Sequence, residues 1–386
     1  MRRFFFTTLL LLAGAGQAVP LTVWTSYVAG DRHWLETEAQ AFTARTGHRV
    51  QVRQIPFDEL GPRWQAAGRA GPDVVVGVPD EWLGAVIGLA APLTPQGTPD
   101  AAGQQAFTSE GQLLGLPLVA EALALVYNAG LVPRPPATWA ELRQVMSEQV
   151  RAGRLGLASD LQDPYTQAGV FEAYSAPVFG LKAGRLGPAD LGLATEGAVQ
   201  AGTFLRELGQ VEGLAGTLDD EAAQKAFTSR RLALWLTGPW NFGALQRAGL
   251  DVRSVPLPAP PGAPEAWQPF VGRQAVMVAA SSAHRAEATA LARALTTDEA
   301  QLTLFKAGGR LPSSPAARAV AIQDNQALSG FGEGIRRGAP VPKISAMTAV
   351  WRPWAEALRQ LQTQPDQPVR AILDQAVQRI RAALQP

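Results

Sequence analysis

The sequence predicts an α/β fold built on parallel strands, and two observations carry that expectation. From residue 20 onward, short apolar runs alternate with stretches at helical spacing, in the order strand, helix, strand, helix, strand. The chain is also long and apolar enough for a large core: 386 residues, 47% hydrophobic and 17% charged, a size that favours two domains over one.

The elements follow in order. LTVWTS (21–26) reads as a short buried strand. Residues 31–46 place Leu35, Ala39 and Phe42 at helical spacing and stop at Gly47, a residue suited to a left-handed helix cap. HRVQVRQI (48–55) alternates like a strand, 58–69 reads as a helix, and GPDVVVGV (71–78) opens with a turn and becomes a buried strand. Right-handed crossovers make such a sheet parallel, and ligands then bind beyond the carboxyl ends of its strands. Those ends carry Ser26 and Tyr27, then Asp80, Glu81 and Trp82. LPLVAEALALVYN (116–128) is strand-like, broken only by the acid Glu121. The proline-rich VPRPPA leads to Thr138, whose spacing to Glu141 is that of a capping box. Helices are predicted over 195–208, 219–228, 285–296 and 368–384, and the proline-rich 255–269 reads as a linker.

The first eighteen residues, MRRFFFTTLLLLAGAGQA, have a basic start, an apolar run and small residues at Gly16 and Ala18. That is the pattern of a secretory signal peptide cleaved after Ala18. Arg2 and Arg3 leave with it, taking the net charge from +1 to −1. No large basic field remains to attract nucleic acid. The chain has no cysteine, so no disulfide and no acylation site is expected. The mature chain is expected to be soluble, periplasmic or otherwise extracytoplasmic, and not lipid-anchored. His33, His48 and His284 are scattered without metal-ligand spacing, and neither a phosphate-binding loop nor a nucleophile elbow appears.

ALWLTGPWNF (233–242) poses the sharpest local question, because an apolar run stops at Gly238-Pro239 and a second tryptophan follows at once. Core packing and a flat ligand platform are the two readings. VWTSY, GPDVVVGVPDEW, GLPLVAEALALVYN, PPATWAEL, LQDPY, LTGPWNF, PFVG and VPKISAMTAVWRPW occur together and in order. In this the chain resembles the maltose-binding proteins, in family 1 of the extracellular solute-binding proteins of bacterial ABC importers, over essentially its whole mature length.

The resemblance implies a type II-like periplasmic-binding-protein fold. Two α/β lobes, each a mixed, mostly parallel sheet flanked by helices, would be joined by a hinge of several chain crossings. Lobe one would hold 19–121 and 273–322, and lobe two 122–272 and 323–386. A sugar bound in the cleft contacts both lobes and so favours the closed form, which the permease recognises. Partners would be an oligosaccharide and a membrane permease; the protein would be a monomer, with no nucleic acid, no cofactor, no metal and no enzymatic activity.

Pyranose rings need aromatic faces for their C–H surfaces and charged or polar groups for their hydroxyls. The resemblance supplies Tyr165, Trp240 and Trp351 for stacking from lobe two, and Asp163 as an acceptor of sugar hydroxyls. Asp80 and Glu121 would face them from lobe one, with Ser26 and Glu81 alongside. Trp235, Phe242, Trp34, Trp64, Trp139, Trp267 and Trp354 receive core or surface readings, and Trp82 a packing role. Each acid has a structural alternative: Glu121 as a buried paired acid, Asp80 and Glu81 as a helix start. The chain departs from the family at Gly77, where a stacking tryptophan can stand, at Glu81, where an arginine stands, and at Ser26, where an asparagine is usual. At Arg230 a turn glycine is frequent. The alternatives are another sugar or a polyamine on the same fold, or a secreted glycoside hydrolase with a carboxylate pair.

Overall fold

The computed structural model describes residues 18–95, 100–182 and 185–385. The expected leader, apart from Ala18, lies outside them. Eleven strands build two sheets: β1 (Pro20–Thr25), β2 (Arg49–Gln54), β3 (Val74–Pro79), β4 (Leu116–Ala122), β5 (Ala124–Asn128), β6 (Leu155–Ala158), β7 (Leu214–Ala215), β8 (Leu232–Thr237), β9 (Val252–Val255), β10 (Phe270–Val278) and β11 (Ala339–Pro340).

The first sheet runs β11-β10-β3-β1-β2, with β4 also on β10. β1 is parallel to both β2 and β3, as the alternation predicts. The second sheet runs β7-β6-β8-β5-β9, parallel at β7-β6-β8 and antiparallel at β5 and β9. Both sheets are therefore mixed.

The stretch 116–128 does not form one strand. β4 pairs in the first sheet, Leu123 intervenes, and β5 pairs in the second. Every side chain in it except that of Pro117 is buried. A run buried on both faces has no alternation, so nothing in its pattern marks where it changes sheet.

Local chemistry explains the main boundaries. The helix Ala29–Thr46 ends at Gly47, φ +79°, whose N–H reaches back to the Thr43 carbonyl. Thr138 and Glu141 form both halves of a capping box. The helices Glu196–Leu208, Asp220–Thr228, Arg285–Leu295 and Val369–Ala383 lie within a residue or two of their predicted spans. Among the tryptophans given core or surface readings, Trp34, Trp64, Trp139, Trp235, Trp267 and Trp354 are all buried. One core cluster, including Ala122, Ala124, Trp235, Phe242, Val271 and Phe331, takes side chains from strands of both sheets beneath the crossing at Leu123.

Arg230 turns the chain from the helix Asp220–Thr228 into β8 with φ +58° and an exposed side chain. A left-handed conformation costs a side-chain-bearing residue about 1–2 kcal/mol, while glycine loses about 0.5–1 kcal/mol in backbone entropy. Arg230→Gly should therefore stabilise the protein by about 0.5–1 kcal/mol. A higher urea midpoint at unchanged slope would show it.

Candidate functional site

The aromatic half of the site grows from the second sheet. After β6 the chain turns into the helix Pro164–Ala173, which Asp163 caps. Its carboxylate accepts the N–H groups of Tyr165 (3.2 Å) and Thr166 (2.9 Å) and the Thr166 hydroxyl (2.6 Å). Pro164, in the first turn, fixes the entry angle. Tyr165 meets Phe270 edge-on at 6.1 Å, and Phe270 meets Trp351 edge-on at 6.4 Å. The three rings form a string held by a helix start, a strand start and a second helix start.

Trp240 answers the question posed by its Gly-Pro turn. Its indole folds back over Gly238, so closely that a side chain at 238 would occupy the six-membered ring. Its Nε1 donates to Asp220 Oδ2 at 3.2 Å, and Asn241 Nδ2 donates to the same oxygen at 2.9 Å. The indole stays half-buried, whereas Trp235 and Phe242 are in the core. Tyr165, Trp240 and Trp351 all border one core cluster.

Two acids beside this group escape a reading by motif. Asp160 accepts the Gln162 N–H at 2.9 Å, and burial, with the charges of Asp163 and Asp220, holds its carboxyl above the usual range. Asp220 opens a helix and reads from sequence only as part of a capping run. The signal for Asp160 was its place three residues before Asp163 in SDLQDPY.

The opposing acids belong to the first sheet. Asp80, at the carboxyl end of β3, is fully buried; Oδ1 accepts the Arg273 N–H at 3.1 Å, and Oδ2 has no partner among the described residues. Burial pushes its carboxyl to about 6, against the pull of Arg273 and Lys343. Glu81, half-buried, is pushed to about 7 by burial and then by the Asp80 charge. Glu121 on β4 is locked: Oε1 accepts from Arg310 Nη1 at 2.8 Å and Oε2 from Gln274 Nε2 at 3.3 Å. Arg310 also donates to Asp31 Oδ2 at 2.6 Å and lies over the Tyr27 ring, 5.0 Å from its centre. Ser26 is half-buried at the end of β1, and no hydrogen bond of its hydroxyl is found among the described residues.

The two halves meet at Tyr165. Burial raises its phenol pKa well above the usual value, and the charges of Glu121, Glu81 and Asp80 raise it further. The hydroxyl comes so near β10 that a Cβ at Gly272 would lie 3.1 Å from it. The structure thus joins Asp80, Glu81, Glu121 and Tyr165, with Trp351 reached through Phe270. Trp240 forms a separate group with Asp220, whose charge, with that of Asp163, acts on Asp160. Concavities of about 300 Å³, beside Asp100 and Arg293, and about 870 Å³, beside Phe204 and Tyr174, lie elsewhere and contain none of the expected sugar contacts.

Gly77 explains one departure from the family. It takes φ +83° beside a register shift in the pairing of β3 with β10, and a Cβ there would lie 2.6 Å from Tyr27 Cε1. The Tyr27 ring fills the space a side chain would need.

The raised carboxyl of Asp80 has a measurable consequence. The folded chain holds this proton up to about pH 6, whereas an unfolded aspartate releases it near 3.8. The native state therefore binds more protons in that window, and this group's contribution to stability falls as pH rises through it. Asp80→Asn removes the titration, so the variant should gain up to about 3 kcal/mol relative to wild type between pH 4 and pH 8. Urea unfolding at the two pH values measures the difference.

Comparison with known proteins follows the same outline. Residues 38–330 match the family described as bacterial extracellular solute-binding protein. The fold is similar to that of the Thermus thermophilus maltotriose binding protein bound with maltotriose, with a TM-score of 0.86, 33% identity, and coverage of 95% of this chain and 100% of that one. The sequence is 26% identical over 354 residues to the galactooligosaccharide-binding protein of Bacillus subtilis (strain 168), covering 88% of this chain and 83% of that one. It is 26% identical over 353 residues to the maltotriose-binding protein of Pyrococcus abyssi (strain GE5 / Orsay), covering 88% and 76%.

Proposed function

Because the chain belongs to the bacterial extracellular solute-binding proteins, we propose that it is the binding component of an ABC sugar importer, taking maltose or maltodextrins outside the cytoplasm and delivering them to a membrane permease. The observation that carries this reading is the pairing of half-buried rings, Tyr165, Trp240 and Trp351, with carboxylates close at hand. Sugar C–H faces would lie on the rings, and hydroxyls would donate to Asp163, Glu81 and Glu121, with Asp80 and Ser26 nearby. Names of similar proteins include both maltotriose and galactooligosaccharide binders, so the glucan is the preferred member of a wider sugar class.

In this reading the lobes are 19–121 with 273–322 and 122–272 with 323–386, and the protein works as a monomer. The hinge would use the crossing at Leu123, the irregular segment 256–269, and the approach to β11, which pairs with β10 of the first sheet. The reading also makes the protein a binder without turnover. Raised carboxyls suit a general acid, yet of the three that bear on Tyr165, Asp80 is buried from solvent and Glu121 is held by Arg310, which leaves Glu81 alone where a glycosidase needs a pair.

Tryptophan fluorescence titrated with maltose, maltotriose, trehalose, lactose, glucose and spermidine tests the proposal. A saturable change with α-glucosides, and sugar recovered intact after long incubation, is the expected result. A response to spermidine alone would overturn the substrate, and cleaved sugar would overturn the binding role.

A further inference from the structure

The capping duty at the start of the helix Asp220–Thr228 belongs to Asp219, whose Oδ1 accepts the Ala222 N–H at 2.8 Å. Asp220 adds only its charge to that helix start. Its carboxylate reaches instead to the helix Pro239–Arg247. There a single oxygen, Oδ2, accepts from two consecutive residues, Trp240 Nε1 at 3.2 Å and Asn241 Nδ2 at 2.9 Å. Asn241 is itself fixed, because Nδ2 also donates to Oγ1 of the buried Thr237 at 3.0 Å. An amide nitrogen carries two hydrogens and serves both acceptors at once.

The Trp240 indole is thus held from two sides. Gly238 lies against its six-membered ring, and Asp220 takes the N–H of the other ring. Two donors on Oδ2 leave Asp220 Oδ1 without a hydrogen bond among the described residues, on a side chain that is exposed. The carboxylate therefore stands, half used, at the rim of a half-buried ring. A pyranose lying on an indole points its equatorial hydroxyls outward past that rim. An ionised carboxylate accepts and does not donate, so it recognises a free hydroxyl and not a ring or glycosidic oxygen. The charges of Asp163 and Asp220 both act on Asp160, and a region with that much negative charge favours a ligand that brings donors.

We infer that Asp220 is a ligand-contacting residue with two tasks: Oδ2 fixes the Trp240 ring, and Oδ1 accepts a free hydroxyl of the sugar unit lying on it. The inference rests on the proposed sugar-binding function and narrows its substrate. The unit on Trp240 carries an unsubstituted hydroxyl at the N–H edge of the indole, and a chain branched or alkylated there is refused.

Calorimetric titration of maltotriose into wild type, Asp220→Asn and Asp220→Ala tests this. Asparagine keeps an oxygen for the two donors, so the Trp240 indole N–H proton resonance, assigned by its loss in Trp240→Ala, should stay near its wild-type position. The charged acceptor is gone, and Asp220→Asn should lose about tenfold in affinity with the ring still in place. Asp220→Ala should lose more and shift the resonance. Introduced into Trp240→Ala, the same alanine should cost much less than in wild type, since no sugar unit is then held beside position 220. Far-UV circular dichroism checks that the helix, still capped by Asp219, stays intact. Full affinity in Asp220→Asn with a loss in Asp220→Ala would reduce Asp220 to a prop for the ring and overturn the contact. Full affinity in both variants, or costs that simply add in the double variant, would overturn it as well. Wild type that binds no sugar would instead overturn the function on which the inference rests.

Discussion

Arg310→Ala is expected to destabilise the protein by about 3–5 kcal/mol, the cost of breaking a buried ion pair from one side. Arg310 holds two carboxylates, Asp31 at 2.6 Å and Glu121 at 2.8 Å, and none of the three side chains is more than 17% exposed. Asp31 Oδ1 is buried and already lacks a partner among the described residues, so the loss of Arg310 would leave this carboxylate without its cation. The loss should shrink as pH falls, because Glu121, whose carboxyl burial already holds above the usual range, can then take up a proton and become neutral. Urea unfolding at pH 7 and pH 4 would read both effects. Combining Arg310→Met with Asp31→Asn and Glu121→Gln should recover much of the stability, since the charges that need Arg310 go with it. Lysine is not a substitute, because one ammonium cannot reproduce the forked contacts to two separate acids.

Trp240→Ala should lower affinity for the bound sugar by about 2–3 kcal/mol, roughly 30- to 150-fold, as expected for loss of one buried aromatic face. The indole is only half-buried in the free protein, so the fold should survive. Gly238→Ala should mimic the loss by a separate route, because the added methyl needs space the indole occupies. Asp163 requires a subtler change. It caps the helix that carries Tyr165, and alanine would remove both cap and acceptor. Asparagine keeps a capping oxygen and removes only the charge, so Asp163→Asn isolates the contribution to binding. Calorimetry that found sugar affinity untouched in both Trp240→Ala and Asp163→Asn would place the site elsewhere.

The parts of the fold that could be read in advance share a physical cause. The first three strands and their helices have clear periods and a punctuating Gly47, and the later helix Trp139–Arg151 is announced by the Thr138–Glu141 pair. The switch of sheet at Leu123 could not be read from periodicity, since residues buried on both faces carry no period; only the resemblance put a lobe boundary nearby, at 121/122. At the site, Trp240 stood out because a turn separated it from the strand that buries Trp235. Asp220 and Arg310 did not, because their importance comes from partners outside their own elements: Asp220 lies 20 residues from Trp240, and Arg310 lies 279 residues from Asp31 and 189 from Glu121. Glu121 shows the converse. An acid in an apolar run signals a buried charge, but only the fold reveals the cation that holds it.

The contact between Tyr27 and Gly77 has an evolutionary consequence. A larger residue at 77 collides with the Tyr27 ring, and its backbone stands at φ +83°. A smaller residue at 27 gives up the hydroxyl bond to Gln274 at 2.9 Å and the ring beneath Arg310. Either change alone is harmful, so the two positions are coupled. A descendant of this chain has no one-step path to an aromatic wall at 77, and selection for a wider range of sugars would have to act through other loops at that edge.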